Sequence, residues 1–457
     1  MALAGRFDVA VIGAGVVGCA IARRFVLAGA RVAVIEQAAD ILDGASKGNS
    51  AILHTGFDAP PGSLEQRCIA AGHAEYLSIH ERLGLPLIRA GALVIAWSDE
   101  EEARLPELMA QARENGVEDV ALLDRAALHD AEPALGPAAQ AAFVVPREYL
   151  IDPWSAPFAY LLQALENGAE LLRGAELTGG RRDGDWWLDT TRGTVQAGLV
   201  VNAAGNFGDM VDERLFGQRD FHIRPRKGQF IVYDKPAAAL AQHVLLPVPT
   251  PKTKGIVVCR TAFGNLLVGP TAEDQDERRR AVIVPETLEH LRARGEEIIP
   301  ALKDHEITAF YAGLRPATEF KEYRVKAHEG LAAITVGGIR STGLSAALGI
   351  ARHVEALAGL ALTPLPDPVW PQVSNISEAL PRDWQRPGHG GILCHCELVT
   401  RREVLAALDG PLPAHTLAGL KRRTRVTMGR CQGFFCMAEL ARVTEGHFTL
   451  PLAEPAP

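Results

Sequence analysis

The run Phe7-Asp8-Val9-Ala10-Val11-Ile12, followed at once by Gly13-Ala14-Gly15-Val16-Val17-Gly18, constrains this chain more than any other stretch. An apolar, β-branched segment of that length reads as a buried parallel strand, and the glycines make a turn into a helix over 19–29. Gly13 permits the tight reversal, Gly15 removes a Cβ that would block a pyrophosphate, and Gly18 lets the helix approach the strand. The unpaired amides at the helix start then face the phosphates. Arg31-Val32-Ala33-Val34-Ile35 gives a second strand ending in Glu36, whose carboxylate is placed to accept hydrogen bonds from a ribose diol. The plain alternative is a glycine-rich βα connection with no ligand, and it leaves Glu36 without a purpose.

A chain of 457 residues, 47% hydrophobic and 22% charged, has room for roughly two to four domains with sizeable cores. With 47 basic against 55 acidic residues and a net charge of −8, no nucleic-acid partner is expected. No apolar run reaches the length of a membrane span, and the amino terminus enters a strand carrying Asp8, so it is not read as a secretory signal. Three of the seven cysteines, Cys19, Cys68 and Cys259, are scattered and suit a core, and four are confined to the carboxyl end. That is no disulfide framework, and a cytoplasmic location is expected.

The chain returns to the nucleotide crevice three times after β-α-β. A small polar loop, residues 44–56, can supply amide and hydroxyl donors to an anion. A strand over 198–202 leads into the small residues Ala203-Ala204-Gly205. A strand over 331–338 leads through Ile339-Arg340-Ser341-Thr342-Gly343-Leu344-Ser345 into a helix reaching about residue 360. Helices are expected over 66–83, 99–115, 157–167 and 285–299. Short strands over 91–97, 228–233, 255–260 and 265–269, with turns such as Pro249-Thr250-Pro251, predict an antiparallel substrate sheet. Residues 363–391 are proline-rich and aperiodic and read as a linker; the tail, 451–457, reads as disordered.

Beyond the linker, Cys394-His395-Cys396 and Cys431-Gln432-Gly433-Phe434-Phe435-Cys436 flank a helical segment capped by Thr400 with Glu403 and by Thr416. Four thiolates can hold a [2Fe–2S] cluster or a structural zinc, and free buried thiols are the third alternative. Zinc pairs usually have two intervening residues and neither pair here does, so the spacing favours iron–sulfur.

Taken together, Gly13 to Glu36, the loop from Ser46 to Gly56, Asn202-Ala203-Ala204-Gly205 and Gly338 to Ser345 resemble the flavin-binding elements of the D-amino-acid-oxidase-like superfamily of FAD-dependent oxidoreductases. Gly48-Asn49-Ser50-Ala51-Ile52-Leu53-His54-Thr55-Gly56 with Pro61-Gly62-Ser63-Leu64, Pro225-Arg226-Lys227-Gly228 and Gly269-Pro270-Thr271 resemble its L-2-hydroxyglutarate and glycerol-3-phosphate dehydrogenase branch. Glu65 departs from that branch, which often carries Lys there. The carboxyl end is similar to the bacterioferritin-associated-ferredoxin-like [2Fe–2S] domain. The resemblance implies an α/β fold: a Rossmann-like FAD-binding domain (1–85, 146–218, 311–362), an inserted antiparallel-sheet α+β substrate domain (86–145, 219–310), the linker 363–391, and a small helical Fe–S module (392–450).

It further implies FAD contacts at Gly13, Gly15, Val16, Val17, Gly18, Glu36, Gln37, Ser46, Asn49, Ser50, Leu177, Ala204, Gly205, Gly313, Gly338, Ser341, Gly343, Leu344 and Ser345. A cluster is implied on Cys394, Cys396, Cys431 and Cys436. His54 is placed near the isoalloxazine, as the base for a hydroxyl proton or as a flavin contact. Arg315 and Arg340 offer planar forks to a small anionic substrate, or else make ion pairs, and Lys252 and Lys254 could rim the pocket. The expected activity is a dehydrogenase for a 2-hydroxy acid or glycerol 3-phosphate, passing electrons to an external acceptor or partner subunit. Amine or amino-acid oxidation and a purely electron-transferring subunit are the competing readings. The basic stretch 421–425 is expected either to dock an acidic partner or to be a solvated helix face. Removal of residues after about 388 is expected to spare flavin reduction and abolish transfer to the acceptor.

Overall fold

A computed structural model describes residues 5–249, 255–449 and 451–452; Lys252, Lys254, the Thr250-Pro251 turn and most of the tail lie outside them. β1 (Arg6–Ile12), α1 (Val16–Leu27) and β2 (Val32–Ile35) form the unit that the glycine turn predicts. α1 starts earlier than the residue-19 expectation. Gly15 is its N-cap in extended conformation, and the Val16 amide donates to Ser46 Oγ at 3.0 Å. A side chain 30 residues away thus satisfies a first-turn amide that no local residue could cap.

β1 lies between β2 and the long strand Gly193–Asn202, both parallel to it, and the sheet continues in parallel to Ala333–Gly337 on one side and Glu170–Leu172 on the other. An antiparallel hairpin, Leu177–Asp183 with Asp185–Thr190, extends the amino-terminal half of the Gly193–Asn202 strand. The helix Gly343–Ala358 packs on α1 and on the helix Leu64–Ile79, filling one apolar layer. Strand ends that converge at one edge of a parallel sheet leave the crevice where a ligand binds.

A second sheet has nine strands, and a small three-stranded one joins Ile52–Leu53, Tyr149–Ile151 and Leu87–Ile88. The nine-stranded sheet is antiparallel with one exception: Val244–Pro247 runs parallel to Ala92–Ala96. That pair joins the two separate excursions of the chain, and strands connected by so long a crossover are free to run the same way. The expected helix over 99–115 is two helices, Asp99–Glu102 and Leu105–Glu114, with Pro106 in the first turn of the second, where its missing N–H costs nothing.

Residues 363–391 hold one 3-10 turn, Asp383–Gln385, and a buried Arg382. The carboxyl-terminal module has a two-stranded ribbon and the helices Arg401–Ala407, Leu417–Thr424 and Met437–Val443 around its own small core. Its basic stretch is neither solvated nor free for a partner. Asp40, 2% exposed, accepts from His415 N and Thr416 Oγ1 at 2.9 and 2.7 Å and pairs with Arg423 at 3.2 Å. Arg422 donates to Ile41 O at 3.0 Å, and Arg425 pairs with the buried Glu397 at 2.9 Å. Arg422 and Arg423 fasten the module to the nucleotide domain, and Arg425 braces the module from within.

Asp212 ties the helix Gly208–Phe216 to the first sheet, accepting from Asn202 Nδ2 at 2.7 Å and Thr335 Oγ1 at 2.6 Å. Burial raises its pKa to about 6. A carboxyl raised on folding favours the folded state below its unfolded value, and that advantage is lost as pH rises through about 6. Asp212→Asn, which keeps the accepting oxygen, should raise stability at pH 7 by about 2–3 kcal/mol and flatten the fall between about pH 4 and 6. Thermal melts of both proteins across pH 4–8 check this; equal pH profiles would count against it.

Candidate active site

A cavity of about 570 Å³ opens where the first sheet's strand ends meet the second sheet. The glycine turn forms its floor. Gly13, Gly15, Val16 and Val17 line it, with Glu36 and Gln37 beyond β2 and Ser46, Asn49 and Ser50 from the polar loop. Leu177, Ala204, Gly205, Gly338, Ser341, Gly343 and Leu344 close the nucleotide side, and Gly228, Phe230, Gly313 and Arg315 come from the substrate sheet. Gly313 and Gly48 pack backbone to backbone, and this contact sets how closely the polar loop approaches the substrate sheet.

Glu36 is buried and accepts from Ala14 N at 2.7 Å and Ala38 N at 2.8 Å. Burial raises its pKa, opposed by those amides. The bare glycine turn, the helix start behind it and a carboxylate at the end of β2 fit the pyrophosphate and ribose of FAD.

Two expected cofactor residues stand off the cavity. Gly18 lies under the turn, against Gly13 O. Ser345 is buried, accepting from His54 N at 2.9 Å and donating to Ile52 O at 3.1 Å, so it braces the wall from behind. A loop that sequence reasoning passed over crosses from the substrate sheet. Arg278 pairs with the buried Asp209, and Arg279 reaches Gln37 Oε1 at 3.4 Å over the Phe207 ring. Its contacts lie far away in the chain and leave no local signal.

The two candidate anion forks differ. Arg340 sits 3.8 Å from Glu65, which also accepts from Thr342 Oγ1 at 2.7 Å. Arg315 has no acid within 4 Å among the described residues; its guanidinium is held by Thr271 O at 2.5 Å, Lys227 O at 3.2 Å and Arg226 O at 3.3 Å. Burial, then the charge of Arg226, lowers its pKa to about 10, so it stays charged at neutral pH.

His54 is not part of the cavity lining. Its Nδ1 lies 2.7 Å from Oε2 of Glu148, a fully buried carboxylate absent from the expectations. The strands Ile52–Leu53 and Tyr149–Ile151 pair antiparallel with Leu53 opposite Tyr149, and that register sets His54 beside Glu148.

Among the described residues no three of His, Cys, Asp or Glu converge as ligands of one metal ion. The four cysteines of the expected metal set nevertheless lie near one another: Cys396 beside Cys431 and Cys394, and Cys436 beside Cys394 and Cys431. The amide of Phe435, with those of Gly433 and Phe434, holds the Cys431 thiol below its ordinary pKa. Burial and Cys394 push Cys436 up to about 12. The loop between them carries Phe434 and Phe435 in the open and is tied to the substrate domain through Arg430–Asp234 at 2.6 Å.

Residues 8–357 match the DAO family, FAD dependent oxidoreductase. The chain is 31% identical to the glycerol 3-phosphate dehydrogenase of Caloramator mitchellensis, over 98% of this chain and 96% of that protein. It is 28% identical to the glycerol 3-phosphate oxidase of Mycoplasma pneumoniae, over 79% of this chain and 96% of that protein. The solved structure of dithionite-reduced L-alpha-glycerophosphate oxidase from Mycoplasma pneumoniae with FAD bound matches with a TM-score of 0.75 and 25% identity, covering 80% of this chain and 98% of that one. No described helix is long and apolar enough to cross a membrane. The cavity's glycine floor, its carboxylate and these likenesses agree, and the chain belongs to the DAO family of FAD-dependent oxidoreductases, on its glycerol 3-phosphate dehydrogenase and oxidase side.

Proposed function

We propose that this enzyme oxidises glycerol 3-phosphate, and that its electrons leave one at a time through a [2Fe–2S] cluster on Cys394, Cys396, Cys431 and Cys436 to an external acceptor. Arg315 carries the reading: it is a charged fork, nearly enclosed, on a cavity wall, with no acid within 4 Å among the described residues and Asp274, already paired with Arg226, as the acid whose charge reaches it. A phosphate monoester supplies the missing charge and matches the planar fork. Arg340 already has Glu65 beside it, so the site has one strong anion position and favours a single charged head over a dicarboxylate such as 2-hydroxyglutarate. FAD, when bound, supplies a two-electron acceptor. The chain's part is to hold the phosphate at Arg315, keep the carbinol carbon against the ring, and take the hydroxyl proton at His54.

The exit route is supported by coverage and by the thiols. The oxidase relative aligns with 79% of the chain, and the dehydrogenase relative with 98%. Four thiols gathered in one place are the donor set that a [2Fe–2S] cluster takes, and neither close pair has the two intervening residues usual for zinc. The seven free thiols suit a reducing cytoplasm.

In freshly prepared anaerobic protein, glycerol 3-phosphate should bleach the flavin while L-2-hydroxyglutarate and amino acids leave it oxidised. Bleaching by an amine alone would overturn the substrate. Cys431→Ser should keep bleaching, lose the electron-spin signal of the reduced cluster and stop acceptor reduction; undiminished acceptor reduction would sink the exit route. Substitution is a cleaner test than truncation after residue 388, because truncation strips Asp40 of its buried partners beside the cavity-lining Asp43.

A further inference from the structure

We infer that Glu148 is the positioning residue of a His54–Glu148 dyad: it fixes the imidazole proton on Nδ1 and leaves Nε2 to take the substrate's hydroxyl proton. This rests on the alcohol oxidation proposed above. Glu148 is fully buried, and its oxygens are divided between two tasks. Oε1 accepts from Thr55 N at 2.6 Å and Thr55 Oγ1 at 2.7 Å, while Oε2 faces His54 Nδ1 at 2.7 Å. An ionised carboxylate only accepts hydrogen bonds, so the ring nitrogen that faces it must carry the proton.

Nearby charges are otherwise engaged. Arg147, the next residue, turns away to Asp119 at 2.9 and 3.0 Å, and His73 bonds Arg147 O at 2.9 Å and stacks on Tyr149. Burial holds the His73 pKa down although the charge of Glu148 opposes it, so among the described residues the ring within hydrogen-bond distance of Oε2 is that of His54. Thr55 locks the carboxylate, and the bond from His54 N to Ser345 Oγ locks the backbone beneath the ring. Nε2 has no hydrogen-bond partner among the described residues, and the side chain is 20% open. Ser345 follows directly on the cavity-lining Gly343 and Leu344, so the dyad is anchored to the cavity wall. FAD, when bound, would take the carbinol hydrogen with its electron pair as hydride; the hydroxyl proton passes to Nε2, and the imidazolium so formed lies against Glu148.

The test compares wild type, Glu148→Gln, Glu148→Asp and His54→Asn, each with FAD bound. In Glu148→Gln the carboxamide oxygen can still serve Thr55, but its NH2 faces the ring and demands an acceptor there. Nitrogen NMR of histidine-labelled protein should find Nε2 unprotonated in wild type and Nδ1 unprotonated in Glu148→Gln. Flavin reduction by glycerol 3-phosphate should slow about a hundredfold in kcat with KM nearly unchanged, and Glu148→Asp should recover part of it. An unchanged tautomer, or a Glu148→Gln protein as fast as wild type, overturns the positioning role. A His54→Asn protein as fast as wild type overturns the dyad through its base. The NMR comparison uses no substrate, so it reads the positioning separately from the substrate assignment.

Discussion

Arg315→Met should lower kcat/KM for glycerol 3-phosphate about a thousandfold with FAD content unchanged. The size follows from what the side chain does when substrate is absent. Its three carbonyl partners orient the guanidinium without neutralising it, because a carbonyl carries only a partial charge. A buried cation in that state is held ready for an anion. Removing one member of a buried charge pair costs about 2–5 kcal/mol, and each ~1.4 kcal/mol is a factor of ten. Arg315→Lys restores the charge but not the fork, so it should lie between methionine and wild type. Arg340→Met should cost far less, since Glu65 already lies beside that fork. Stopped-flow reduction over a range of substrate concentration separates the three. Equal losses at Arg315 and Arg340 would mean that the anion is shared between them, and an unaffected Arg315→Met protein would remove the phosphate from this wall.

The glycine turn was legible in the sequence because every signal in it is local: strand, turn, helix, strand and Glu36 follow one another within about thirty residues of chain. The same holds for the Thr400–Glu403 capping box and the Thr416 cap, which the structure contains as the residues alone imply. What escaped was long-range. Glu148 has no motif of its own; it matters because one strand register puts it beside His54, 94 residues away. Arg315 and Arg340 look alike as sequence, and only the presence of Glu65 beside one of them tells them apart. The basic stretch 421–425 misled for a related reason. A run of arginines is normally solvated, and nothing near it in sequence announces Asp40, 375 residues from His415, as the buried acid that draws the module in. The parallel pair in the second sheet likewise depends on how two excursions meet.

Two glycines three residues apart should fail in different ways when each becomes alanine. At Gly18 an added Cβ would stand 1.9 Å from Gly13 O and 3.0 Å from its carbonyl carbon. Neither is the end of a flexible side chain, so α1 must lift off β1. That breaks a contact inside the largest apolar cluster, where Cys19, Ile21 and Phe25 are fully buried. Overpacking a close-packed interior costs about 1–3 kcal/mol, and more where backbone must move. Gly18→Ala should therefore lose FAD and also melt several degrees lower without it. At Gly15 the same Cβ meets only Ser46 Oγ, at 3.2 Å, and that hydroxyl need give by only a few tenths of an ångström, keeping its bond to the Val16 amide. Gly15→Ala should fold with the melting temperature of the cofactor-free wild type, yet retain almost no FAD, because the methyl group occupies the line of approach of the pyrophosphate. Absorbance of the purified proteins and melts of their cofactor-stripped forms separate the two. If Gly15→Ala binds FAD as wild type does, the pyrophosphate does not cross this turn, and the cofactor must lie elsewhere in the cavity.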